Sequence, residues 1–246
     1  MLEANGSRVL RERSRVREEF DAEAGTYESG RMAPWYKAQG RMVLEELEGV
    51  DGPVVDVGCG TGWFLRRLAQ THPGIHGIGL DLSGAMVERA RELAETEGLK
   101  GLCFRRGDWE NPDVARQIQE LLPRPAEVVT CISAFHYFHD PARALGRMRE
   151  LLGPGGRVLV MERAKDASLL TAAWDLLHRS VLRDGVRFYR SEELRQLMTQ
   201  AGLVEVRTLR EVRKRFWKGK LYTSLTLLSG KREAYDRNPT VGQGED

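Results

Sequence analysis

The residues able to do chemistry gather first in one stretch, Pro53 to Leu65, which reads P-V-V-D-V-G-C-G-T-G-W-F-L. Gly58, Gly60 and Gly62 alternate there behind Asp56. Glycines let a backbone turn sharply and approach a ligand with no Cβ in the way. A helix starting directly after such a turn offers unpaired N–H groups to an anionic part of that ligand. A second carboxylate, Asp81, follows at about the separation, some 20 residues, at which a parallel βαβ unit brings the next strand end alongside. There it can accept hydrogen bonds from both hydroxyls of a ribose, which an amide or a hydroxyl does less well. This is the grammar of a nucleoside-type cofactor site.

The elements that must position these groups alternate strand and helix. Val54, Val55 and Val57 form a β-branched run suited to a strand buried on both faces, and Trp63 opens an amphipathic helix. Gly74 to Leu80 reads as a second strand ended by Asp81, and Ser83 caps a helix through Met86 to Ala94. Leu102 to Arg106 is a third strand. A short helix over Ala115 to Leu122 ends at Pro123 and Pro125. Glu127 to Ile132 is a fourth strand and Ala142 to Leu152 an amphipathic helix. Gly153-Pro154-Gly155-Gly156 turns into a fifth strand, Arg157 to Met161, ended by Glu162. Glu192 to Ala201 reads as a helix terminated by Gly202, and Leu203 to Val212 and Lys220 to Leu228 as two last strands. Such alternation predicts an α/β fold with a mostly parallel sheet.

The glycine spacing separates two cofactor classes. The dinucleotide fingerprint places a third glycine for helix–strand packing where this chain has Trp63. The pattern is instead D-x-G-x-G-x-G. It resembles motif I of the class I S-adenosylmethionine-dependent methyltransferases. Phe20-Asp21-x-x-Ala24-x-x-Tyr27 is similar to the F-D-x-x-A-x-x-Y segment of the small-molecule type related to the ubiquinone and menaquinone C-methyltransferases. The segment Ser133 to Pro141, the phrase L-x-P-G-G-x-V-L-V before strand five and the helix ending A-G-L fit the same family, so the resemblance runs from about Phe20 to Leu228.

That resemblance implies a Rossmann-like seven-stranded mixed sheet, order 3-2-1-4-5-7-6, its last strand antiparallel, with helices on both faces and a helical cap. It implies one domain over residues 1–246, with a core over about 50–228, an N-terminal lid over about 20–48, a cap insertion over about 163–188 and a loose tail over 231–246. It implies S-adenosylmethionine as methyl donor and S-adenosylhomocysteine as product, with no metal. Asp56, Gly58, Cys59 and Gly60 form the loop against the cofactor, and Asp81 takes the ribose. Leu82 and Met86 border the adenosine. Asp108 meets the adenine amino group with Trp109 beside the ring, and Ser133 passes the sulfonium. Tyr27 folds over the cofactor and helps close the substrate pocket. His136, with Tyr137 and His139 near it, stands where a base reaches an acceptor. His136 is the first choice, against a bland role in packing on the next helix. His178 and Arg183 are the polar groups of the cap.

Length and composition bound the rest. The chain has 246 residues, 41% of them hydrophobic, and a formal net charge of +2, which makes no strong electrostatic case for nucleic acid. No apolar run approaches the roughly 18 residues of a membrane span. Cys59, Cys103 and Cys131 lack CxxC spacing and read as small core residues in a reducing compartment, the cytoplasm. Residues 1–19 alternate arginine and glutamate and read as a frayed or solvated helix. Arg207, Arg210, Arg213, Lys214, Arg215, Lys218 and Lys220 make the C-terminal strands locally basic, as solvated edges often are. The expected partner is a small or lipid-like acceptor methylated at O, C or N. The alternatives are a tRNA nucleoside acceptor and a non-catalytic cofactor-binding protein of the same fold.

Overall fold

A computed structural model describes residues 2–165, 176–177, 186–214 and 223–234. The helices are α1 (Leu2–Glu23), α2 (Ala33–Leu44), α3 (Trp63–Thr71), α4 (Gly84–Thr96), α5 (Val114–Gln119), α6 (Pro141–Leu151) and α7 (Ser191–Gln200). The strands are β1 (Val54–Val57), β2 (Gly77–Asp81), β3 (Leu102–Arg106), β4 (Ala126–Ile132), β5 (Leu152–Arg163), β6 (Val204–Lys214) and β7 (Thr223–Lys231). They form one seven-stranded sheet in the order β3-β2-β1-β4-β5-β7-β6. β1 pairs in parallel with β2 and β4, β4 with β5, and β7 is antiparallel to β5 and β6. The expected Rossmann-like topology is therefore present.

Alternation along each strand sends side chains into two cores, one per face. Val55, Val57, Val129, Cys131, Val158 and Val160 pack with α5, α6 and α7. Val54, Val128, Leu159 and Met161 pack on the other face with α2, α3 and α4. A sheet covered on both faces leaves the carboxyl ends of its strands as the place for a ligand, and β1 and β4 flank the reversal of strand order. β2 starts at Gly77 rather than at Gly74, whose φ of +92° makes it part of the preceding turn. Most of the expected cap, including His178 and Arg183, and most of the tail lie outside the described residues. No helix among the described residues is long and apolar enough to cross a membrane.

The N-terminus departs from its expectation. α1 is a helix of 22 residues, and it is docked rather than solvated on every side. Asp21 accepts a hydrogen bond from Ser83 Oγ at 2.5 Å and from the N–H of Ala85 at 3.2 Å, which ties α1 to the start of α4. The lid thus begins well before residue 20. Buried Arg66 on α3 pairs with Glu28 and Glu97 and fastens the segment after α1 to the core. The basic C-terminal edge is partly neutralised, since Arg210 bonds both Glu45 and Glu46.

Candidate functional site

The carboxyl ends of β1, β2 and β4 open into a cleft of about 910 Å³, part of it continuous with solvent, roofed by Glu12, Arg13, Val16 and Phe20 of α1. Tyr27, Gly58, Gly60, Asp81, Leu82, Asp108, Trp109 and Ser133 all line it. An adjoining cleft shares Tyr27, Gly58, Gly60 and Ser133 and adds Asp56, Cys59, Tyr36 and Lys37. Met86 lines neither. It is fully buried under the start of α4, where its N–H donates to Ser83 Oγ at 3.1 Å. Packing, not ligand contact, explains it.

The glycine loop is held by close approach. Gly58 has φ +76°, and a Cβ there would stand 2.3 Å from the Cβ of Ala134, so the loops after β1 and β4 touch at this point. Gly62, with φ +72°, caps α3, and its missing side chain makes room for the Phe104 ring and Ala90. Gly62 therefore does the helix–sheet packing that Trp63 does not. Trp63 instead packs beside Gly40 of α2, flanked by Arg41 and Arg67.

Asp81 organises this loop. Its Oδ2 accepts the N–H of Gly60 at 2.7 Å and its Oδ1 that of Ser83 at 2.9 Å. Burial outweighs these bonds and holds its pKa above the usual carboxylate range. A carboxylate has about four lone-pair sites, so these two bonds leave acceptor capacity at the cleft wall, with the N–H of Leu82 also close by. Asp56 is buried, bonded to Thr130 Oγ1 at 2.7 Å across the β1–β4 pair, and pushed up to about 7 by burial. Burial also raises the Cys59 thiol well above its ordinary value, which suits a core residue and not a nucleophile. Trp109 is a core residue with its indole N–H on the carbonyl of Ala144 at 3.1 Å, while part of it lines the cleft. Ser133, at φ +54°, donates to Gln39 Oε1 at 2.6 Å.

Aromatic rings wall the cleft. Tyr27 stacks on Tyr36 at 4.6 Å and meets Phe20 edge-on, and Phe20 in turn meets Tyr137 edge-on at 5.7 Å. Burial pushes the Tyr27 phenol well up, which favours its protonated form at the wall of both clefts.

His136 lies off the wall of both clefts, in a single turn after β4. Its ring packs 4.1 Å from that of Tyr137, which does line the larger cleft. Its Nδ1 bonds Glu162 Oε2 at 2.9 Å, and its backbone N–H reaches the same oxygen. Glu162 has no exposed surface. Burial alone would lift its pKa, but His136 and the N–H of Arg163 outweigh burial and hold it below the usual range. An ionised Glu162 makes Nδ1 the donor, and in the neutral ring Nε2 keeps its lone pair. Nε2 has no hydrogen-bond partner among the described residues. Sequence reasoning saw Glu162 only as a strand end. The available signal was a carboxylate closing an apolar run at the ligand edge of the sheet.

The roof is latched by charges that were also missed. Arg13 donates to Asp108 Oδ2 at 2.8 Å and to Glu110 Oε2 at 2.7 Å. His139 bridges Glu110 and Glu12 at 3.0 and 2.9 Å. Its hydrogen bond to Glu110 raises its pKa, against burial, and Glu12 adds to the rise. Burial works against ionised Glu110, yet the hydrogen bonds from His139 and Asp140 prevail and bring it to about 2. His139 is thus a latch residue rather than a free base.

The residues present fit an adenosylated sulfonium. Asp81 keeps acceptor capacity, Asp108 lines the same cleft, Gly60 leaves its loop bare, and electron-rich ring faces suit a cation. Among the described residues no three His, Cys, Asp or Glu side chains cluster to hold a metal ion.

A family described as a methyltransferase domain matches residues 29–208. The chain belongs to that family. It is 32% identical over 149 residues to a malonyl-[acyl-carrier protein] O-methyltransferase of Hahella chejuensis, covering 60% of this chain and 49% of the relative. It is 35% identical over 133 residues to a demethylmenaquinone methyltransferase of Deinococcus radiodurans, covering 52% and 51%. The chain thus spans about half the length of these curated relatives. The solved structure of magnesium protoporphyrin IX methyltransferase from Synechocystis with bound S-adenosylhomocysteine superposes at TM-score 0.67 and 18% identity, covering 89% of this chain and 99% of that one. At that identity the likeness concerns the fold.

Proposed function

We propose that the protein methylates a small organic acceptor with S-adenosylmethionine, and that the cleft under α1 binds the donor. One observation carries this reading: the bare glycine loop, the partly used carboxylate of Asp81 and Asp108 converge on a single aromatic-walled cleft. When bound, S-adenosylmethionine supplies an electrophilic methyl group and is released as S-adenosylhomocysteine. The protein's part is to bind, orient and exclude water. Asp81 would accept the ribose hydroxyls and Asp108 the adenine amino group. Tyr27, Phe20 and Tyr137 would keep water from the reacting centre. His136 would take the acceptor's proton at Nε2, with Glu162 holding the ring as a positioning residue. The acceptor would then approach His136 past the ring of Tyr137, 4.1 Å from it. The scheme needs no metal. Three free cysteines, two of them buried, support a reducing compartment such as the cytoplasm.

The test is incubation with methyl-labelled S-adenosylmethionine and a panel of phenols, acids and quinols, beside tRNA. Label is expected in the small-molecule fraction. His136→Ala should lower its yield by about 100-fold or more while S-adenosylhomocysteine affinity is kept. Label in tRNA, or in no acceptor, contradicts the reading.

A further inference from the structure

Arg163 is a cation held between aromatic rings with no ion-pair partner among the described residues. It ends β5 at the ligand edge of the sheet, next to Glu162. Its guanidinium carbon lies 4.3 Å from the ring centre of Trp35, on α2, and 5.8 Å from that of Phe188. Its Nε is buried without a hydrogen-bond partner, and among the described residues no carboxylate comes within ion-pair distance of it. Arg13 on α1 and Arg66 on α3 also have a buried Nε without a partner, but their terminal nitrogens are each shared by two carboxylates. Glu162, which feels the charge of Arg163 without an ion-pair contact, gives Oε1 to the backbone N–H of Arg163 and Oε2 to His136. The charge of Arg163 reaches the phenols of Tyr36 and Tyr137, which line the two clefts.

Resting on the methyltransferase reading, we propose that Arg163 selects the acceptor: it docks a carboxylate of the molecule to be methylated. With aromatic rings at its faces, a guanidinium presents its edge, and a fork of parallel N–H donors matches a planar carboxylate. An unpaired buried donor is disfavoured in the free protein, and a ligand oxygen satisfies it. Phe188, whose ring centre lies 5.8 Å from the Arg163 guanidinium carbon and 5.4 Å from the ring centre of His136, would then border both the carboxylate and the base. The acceptor is an organic acid whose apolar body rests on Trp35, Phe188 and Tyr137.

The probes are benzoate, cinnamate and decanoate, each paired with its neutral primary amide, titrated by ligand-observed NMR into protein saturated with S-adenosylhomocysteine. At least one acid should bind roughly tenfold or more tighter than its amide. Arg163→Gln should erase that preference, and Arg163→Lys, which keeps the charge without the fork, should lose most of it. S-adenosylhomocysteine affinity reports on the fold of each variant. Acids and amides binding alike, no acid binding, or a preference that survives both substitutions overturns the assignment of Arg163 and leaves the donor site standing. Failure of the unaltered protein to bind S-adenosylhomocysteine overturns the methyltransferase reading and the acceptor assignment with it.

Discussion

Asp81→Asn separates two duties that one side chain combines. In the free protein its oxygens accept the N–H groups of Gly60 and Ser83. Acceptor capacity remains for the ribose. Asparagine offers one carbonyl oxygen and an NH₂ group, so one of the two backbone donors loses its partner and at most one ribose hydroxyl is served. An orphaned buried N–H costs about 1–3 kcal/mol. For a chain of this size each kcal/mol lowers Tm by roughly 2–4 °C, so melting should fall by several degrees. A hydrogen bond to a charged group is worth about 1.5–3 kcal/mol. Losing one outright and weakening the other should cost about 2–4 kcal/mol in binding, roughly 30- to 1,000-fold in Kd. Calorimetric titration with S-adenosylhomocysteine and a melting curve on the same sample read both. A lowered Tm with Kd changed by less than about threefold would refute the ribose role and leave Asp81 as a tie for the loop.

Gly62→Ala should be destabilising without touching the cleft wall. The left-handed conformation costs about 1–2 kcal/mol for alanine, and crowding against Phe104 and Ala90 adds about 1–3 kcal/mol; an unchanged Tm would contradict this packing. The latch of α1 should loosen with alkalinity. His139 gains its proton more readily when latched, so the contribution is complete below its unfolded pKa and is lost as pH rises through the raised one. Glu110 acts oppositely, and its contribution fades as pH falls from 4.5 toward about 2. Hydrogen exchange of α1 amides relative to those of α6 should therefore rise above neutral pH, and His139→Gln should remove that rise. A pH-independent ratio in the unaltered protein would contradict the latch.

Much of the fold and of the cleft wall was legible because local signals agreed. The valine run, the alternating glycines and Asp81 each point to the same turn. β3 and the Ser83 cap fall where composition places them. What was not legible depends on contacts across the chain. Arg13 looks like any arginine in a charged helix, and its meaning comes from Asp108 and Glu110, some 95 residues away. Met86 has the character of a pocket residue, yet helix α4 turns it inward. His136 reads in the sequence either as a base or as packing on the next helix, and nothing local reveals that the turn after β4 sets its ring against Tyr137 and its Nδ1 on Glu162.

The central claim is that this cleft binds the methyl donor. Calorimetric titration of the purified protein, freed of any copurified nucleoside, with S-adenosylmethionine, S-adenosylhomocysteine and NAD tests it most directly. The account predicts saturable one-to-one binding of both adenosylated ligands and none of NAD. Binding of NAD alone, or of none of the three, would contradict it.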